Sequence, residues 1–386
     1  MLDLSNLFAA PIVSAILGDF GADVVKVESP EGDPLRRMGA QRDGRSLMWA
    51  FANRNKRGIT LDPGTPDGQD VFRRLVPRFD VLVENLTPDL RRRWHCTYEE
   101  LAAAHPGLVV VSVSCYGARG PYAPRPGAGT LAEAFAGLTH MTGGADGPPT
   151  LPSLPLGDML TGIVGALGAV VACYHRRRGG GGQLVDVSMY EPVLQLLAST
   201  VAGWEPGSPS PSRTGSRVPN AAPRNVYRSA DGGWVVVSGT TDAQVARVLR
   251  VIGRDTAEAR DRFGSSTARL RAADELDALV AEWIAAHDRA DVLDALLDAR
   301  VPAAPVNDLD ALCADPHVTA RDDIVSVIDP ELGPLMMVAP APQLDATPGA
   351  IRSTGPERGA HNVEVYGELL GMTADELRRL QESGVV

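Results

Sequence analysis

The chain has 386 residues, 44% of them hydrophobic and 22% charged, with a formal net charge of -11. An acidic balance of this size argues against a nucleic-acid partner, because phosphate backbones select basic proteins, although a cleft can still be locally basic. The four cysteines (Cys96, Cys115, Cys173, Cys313) form no C-x-x-C pair, which argues against a disulfide framework or zinc site and for a reducing, cytoplasmic setting.

The N-terminal MLDLSNLFAAP has no basic n-region, so no signal peptide is expected. Val24–Val27, Val81–Val83 and Val109–Val113 are short β-branched runs of the kind that form buried strands. Amphipathic segments at Gly68–Val76 and Tyr98–Ala104 lie between them, and this alternation predicts an α/β domain with a mainly parallel sheet. Met159–Tyr174 is apolar but shorter than the roughly 20 residues of a bilayer span, and its many Gly and Ala residues suit a buried core helix rather than a membrane segment. Gly179–Gly182 follows Arg176–Arg178 and fits a helix C-terminal turn.

Glu205–Arg217 (EPGSPSPSRTGSR) is the clearest linker. Beyond it, a strand at Trp234–Ser238 entered through Asp231-Gly232-Gly233, then helical patterns at Asp242–Ile252 and Asp274–Arg300, predict a smaller α+β domain. Pro302–Asn307 and Pro340–Pro348 are extended connectors, and one helix is expected from Asn362 to Glu382.

Several catalytic signatures are absent or misplaced. Gly127-Ala128-Gly129-Thr130-Leu131-Ala132 has dinucleotide-loop spacing, but it follows RGPYAPRP rather than a strand. There is no Walker A sequence and no G-x-S-x-G elbow, and the seven histidines lack ligand spacing, so no metal site is expected. Carboxylate, guanidinium and backbone chemistry remain. Asp158 follows Pro155-Leu156-Gly157 at the start of the apolar helix, where the macrodipole stabilises an anion; locally it could be no more than an N-cap. Only two lysines occur, Lys26 and Lys56, the other cations being arginines. Arg36-Arg37, the patch Asn53–Arg57 and Arg91–Arg93 are loop clusters near strand ends that suit a polyanion such as a nucleotide diphosphate, or else a solvated surface.

Taken in order, LDLSNLFAAP, LGDFGADVVKVESPEGDPLR, NRNKRGITLD, DVLVENLTPD, VSVSCYGARGPYA, PLGDMLTG, GGGGQLVDVSMYE, VPAAPVND and ERGAHNVEVYGELLGMTADEL resemble the family III CoA-transferases and the related α-methylacyl-CoA racemases. The resemblance implies a Rossmann-like large domain (1–204 completed by 311–386), a linker (205–224) and a small α+β domain (225–310) inserted between, with two ring-like chains interlocked as a homodimer. It implies that Asp158 of the G-D-x-x-x-G segment ending at Gly162 is the nucleophile. Ala9 and Ala10 would lie near coenzyme A, with Arg36, Lys56, Asn85, Leu86 and Arg93 along its ADP and pantetheine, acyl-CoA and a carboxylic acid being the substrates.

A thioester is an activated acyl donor, so attack by a carboxylate would give a mixed anhydride, and return of the thiolate an aspartyl-CoA thioester, splitting one difficult exchange into easier steps. Racemisation would need a second acid/base, and Ala128 stands where the racemases carry histidine. Phe8 replaces a glutamine of oxalate-specific members, whose glycine-rich small-domain insertion is absent, and GTTDAQVA after Ser238 departs from the commoner pattern. A catalytically silent acyl-CoA-binding protein is the third reading.

Overall fold

The computed structural model describes residues 1–386 as two compact units, one of Met1–Leu138, Leu151–Ser208 and His317–Val386, the other of Thr139–Thr150 and Pro209–Pro316. The first unit is organised on six strands: β1 (Leu2–Asp3), β2 (Val24–Glu28), β3 (Lys56–Thr60), β4 (Val81–Glu84), β5 (Val109–Ser114) and β6 (Leu184–Ser188). They pair in parallel in the order β3-β2-β1-β4-β5-β6. The valine runs supply strands buried on both faces, as a parallel sheet covered by helices requires. Along β4, Leu82 enters one apolar layer with Val25, Ile59 and Tyr366, while Val81 and Val83 enter the other with Val109, Val111 and Ala169.

This strand order has a functional consequence. The chain runs from β1 outward to β3, then returns to β4 on the other side of β1 and runs outward again. The loops leaving β1 and β4 therefore diverge, opening a crevice at the carboxyl ends of the strands. The α/β expectation holds, although β1 is too short for any sequence pattern to have marked it.

Four helices matter for the site: α1 (Ala9–Asp19), α2 (Pro66–Leu75), α3 (Gly129–Phe135) and α4 (Leu156–Arg177). Gly162 and Gly165 of α4 meet α1 so closely that an added Cβ would lie 2.4 Å from Ile12 Cγ2 and 2.6 Å from Val13 Cγ2. The expectation of a buried core helix is only half met. Gly157, Thr161, Gly162, Gly165, Ala166, Ala169 and Ala172 are buried, but Ile163, Leu167, Val170, Val171 and Tyr174 form an exposed apolar face. By length and composition α4 is the one helix long and apolar enough to cross a membrane.

The second unit pairs β7 (Arg224–Arg228), β8 (Trp234–Ser238) and β9 (Ala303–Pro305) antiparallel, with β8 central. Helices α5 (Asp242–Val251), α6 (Ala273–Ala285) and α7 (Arg289–Asp298) pack Val245, Val248, Leu276, Ile284 and Val292 against Val235 and Val237. The single helix expected from Asp274 to Arg300 is thus two. In the returning segment, α8 (Asn362–Leu370) and α9 (Ala374–Glu382) replace one expected helix. Gly371 at φ 65° ends α8, and Thr373 with Glu376 forms a capping box that starts α9. Asn362 accepts from Thr60 N–H at 2.9 Å, and Tyr366 Oη donates to Thr60 O at 2.6 Å, so α8 closes the outer edge of β3.

Candidate active site at the sheet switch point

Asp3 lies at the centre of the switch point, fully buried at the end of β1. Burial pushes its carboxyl up, but Lys56 and Lys26, with hydrogen bonds from Lys56 and Ser14, hold it well below the usual carboxylate range. The Lys56 ammonium donates to Asp3 Oδ2 (2.8 Å), Pro11 O (2.8 Å) and Asn53 Oδ1 (3.0 Å). All three of its donors are committed inside the protein, to Asp3, Pro11 and Asn53. As arranged, it fastens α1 and the loop before β3 to the carboxyl end of β1. Burial lowers its pKa to about 8 despite the attraction of Asp3.

A cavity of about 630 Å³ opens beside this core, floored by Leu7, Phe8 and Ala9 and walled by Asn85, Leu86 and Thr87 from the loop after β4. Leu7 adopts φ 65°, turning the chain sharply into α1. Phe8, the N-cap of α1, supplies no side-chain acceptor, so the first-turn amides that include Ala9 and Ala10 keep anion-binding capacity. Ala9 lines the cavity and Ala10 is wholly buried behind it. Asn85 joins the two diverging loops, accepting from Asn6 N–H and donating to Asn6 O, both at 2.8 Å.

Of the basic clusters, Arg91 and Arg92 border this cavity, whereas the Arg93 side chain is exposed at the end of its short helix and does not. Arg91 pairs with Glu84 at 3.2 Å and donates to Ser112 at 3.0 Å. Arg36 is elsewhere. It is bidentate to Glu28 (both 2.7 Å), donates to Pro356 O and stacks 3.8 Å above Trp49, beside a separate opening with Arg37 and Arg358. The structure thus brings Ala9, Asn85 and Leu86 together and keeps Arg36, Lys56 and Arg93 out of that lining.

The opposite wall comes from Cys115 at the end of β5 and the loop Ala123–Gly127. Arg125 is held 3.5 Å over the Tyr122 ring, itself edge-on to Tyr116 and Phe135. Neither Arg125 nor Cys115 stands out in the sequence, since a lone arginine between prolines and a lone cysteine match no motif.

Asp158 lies in the first turn of α4, one layer beyond this wall. Its carboxylate rests against Gly129, where an added Cβ would fall 2.0 Å from Oδ2. The rejected G-x-G-x-x-A loop therefore has a steric explanation: Gly127 lies against Cys115 and Gly129 against Asp158. Behind them, fully buried Glu133 accepts the Gly157 N–H at 2.8 Å. Burial, then repulsion from Glu133, raise the Asp158 pKa to about 6, with its own backbone amide opposing them. A partly desolvated carboxylate at a helix N-terminus, close to a groove bordered by arginines, can attack an activated acyl group carried on an anionic ligand.

Residues 1–362 match the family model described as "CoA-transferase family III". The chain is 40% identical to the succinyl-CoA–D-citramalate CoA-transferase of Chloroflexus aurantiacus, over all of this chain and 96% of that protein. It is 31% identical to the succinate–glutarate CoA-transferase of Agrobacterium fabrum, over 96% and 94% of the two. The crystal structure of a CAIB/BAIF family protein from Brucella suis superposes with a TM-score of 0.83 at 30% identity, covering 95% of this chain and 97% of that one.

Proposed function

The chain belongs to CoA-transferase family III and is a CoA-transferase, and from that premise we propose that Asp158 carries the transfer, moving coenzyme A from succinyl-CoA to a second small dicarboxylic acid. The observation that carries this reading is the Asp158 carboxylate itself, half-buried in the first turn of α4 with its pKa raised towards neutrality. The substrate class follows the D-citramalate and glutarate named for its relatives.

In the proposed cycle an Asp158 oxygen bonds to the thioester carbonyl carbon, the C–S bond breaks, and its electron pair leaves with the CoA thiolate. The thiolate then attacks Asp158 Cγ, and the first acid departs carrying an oxygen that came from the aspartate. An incoming carboxylate reverses both steps and restores that oxygen. The resulting anionic tetrahedral centres need nearby N–H donors, which the turns around Gly127–Gly129 and the start of α4 could supply. CoA would lie across the switch-point cavity, its pantetheine along Ala9, Asn85 and Leu86 and its phosphates towards Arg91 and Arg92. Arg36, Arg93 and Lys56 would support the groove from outside its lining.

The exposed apolar face of α4, with Leu167 62% and Val171 58% accessible, is suited to burial against a second copy and supports a homodimer, interlocked or otherwise. Four free thiols fit a reducing, cytoplasmic compartment.

Incubation with succinyl-CoA and an 18O-labelled dicarboxylic acid, followed by mass spectrometry of the peptide containing residue 158, tests the cycle. Label in Asp158 and in released succinate, both lost in Asp158→Ala, is the expected result. Exchange of CoA without label in Asp158 refutes the covalent path, and deuterium entering the α-carbon without CoA exchange would revive racemisation.

A further inference from the structure

Glu133 has a geometry that capping alone does not account for. It projects from α3 into the base of α4, is 0% exposed, and uses one oxygen to accept the Gly157 N–H at 2.8 Å. Its other oxygen, Oε2, is buried without a hydrogen-bond partner. A buried carboxylate oxygen left unpaired is costly, and such groups concentrate where the cost serves a function. The residue after Gly157 is Asp158. Burial, then repulsion from Glu133 on α3, raises the Asp158 carboxylate, and Asp158 adds to the burial that raises the Cys115 thiol at the end of β5. Tyr190, from the helix packed on α3, lies edge-on to Phe135.

We propose that Glu133 is a positioning residue for Asp158: one oxygen fixes the start of α4, and the charge on the other raises the free energy of the Asp158 carboxylate relative to its neutral acylated forms. The inference rests on Asp158 being the nucleophile. When an Asp158 oxygen bonds to the acyl carbon and the C–S electron pair leaves with CoA, the negative charge at residue 158 is lost. The repulsion between the two carboxylates is relieved at that moment, and it stays relieved in the aspartyl-CoA thioester. Both covalent states gain relative to free enzyme, and the uncapped anion is more basic than an exposed aspartate would be.

Single-turnover acylation by succinyl-CoA without acceptor, followed against pH by mass spectrometry, tests this with wild type, Glu133→Gln and Glu133→Asp. The glutamine keeps an acceptor for Gly157 N–H and removes only the charge. The acid limb of acylation is expected to move down by about one pH unit in Glu133→Gln, and the equilibrium adduct to fall by about tenfold. Glu133→Asp, which withdraws the charge by one methylene, should give an intermediate limb. An unchanged limb and adduct fraction in Glu133→Gln overturns the inference. If that variant loses its cooperative thermal transition, a wild-type limb in Glu133→Asp overturns it instead. Absence of any adduct on wild-type Asp158 would defeat the nucleophile reading itself, a separable outcome.

Discussion

Replacing Gly129 by alanine adds one methyl group at the point where α3 touches Asp158. Its Cβ would stand 2.0 Å from Asp158 Oδ2, 2.7 Å from Cγ and 3.1 Å from the Asp158 amide nitrogen. Contact at van der Waals distance requires the carboxylate to retreat by more than about 1 Å. It cannot retreat freely, because Glu133 holds the preceding amide and Gly157 is itself buried, its own ideal Cβ 2.9 Å from Gly129 O. A displacement of this size in a reacting group costs about 100-fold in rate. Overpacking should add about 1–2 kcal/mol of destabilisation, partly offset by the better helix propensity of alanine. Steady-state exchange between succinyl-CoA and a dicarboxylic acid should therefore show kcat down about 100-fold, with KM for the CoA donor changing far less. Gly367→Ala is the control: nothing lies within 4 Å of its ideal Cβ in α8, so activity should be unchanged and stability should rise by about 0.5 kcal/mol. Wild-type kcat in folded Gly129→Ala would refute the placement of Asp158 against α3.

The kcat/KM of the wild type should fall as pH drops through about 6, because burial raises the Asp158 pKa and the protonated acid is not nucleophilic; a flat profile from pH 5 to 8 would contradict this. Lys56→Met should destabilise the fold by about 3 kcal/mol in urea titrations, since it leaves buried Asp3 without its nearest cation. A loss confined to CoA affinity, with full stability, would instead restore Lys56 to the ligand groove. Leu167→Glu on the exposed face of α4 should shift sedimentation from dimer to monomer; an unchanged distribution would place any self-association elsewhere.

Much of the first unit is legible in the chain. Valine runs at β2, β4 and β5 can be satisfied only in a sheet covered on both faces, so the parallel α/β class follows from their composition. The two residues of β1 carry no periodicity of their own, and they are a strand because β2 and β4 pair with them on both sides. Helix breaks inside long apolar patterns were equally hidden, since Gly371 reads as tolerable within a helix until its positive φ is adopted.

The arginine clusters show a limit of another kind. Sequence marks where cations are dense, but the partner of each is set by tertiary distance. Glu28 takes Arg36, Asp3 takes Lys56, and only Arg91 and Arg92 of their triplet reach the cavity. For Asp158 the local sequence supplied a helix start, a glycine before it and an apolar helix after it, and the order of motifs supplied the family. The chain could not show that a second carboxylate, Glu133, twenty-five residues earlier, is buried behind it, nor that Asp158 occupies the space a side chain at Gly129 would need. Backbone pattern and composition are local properties that a sequence carries directly. Electrostatic coupling and steric exclusion depend on distances between remote residues, and those exist only once the chain has folded.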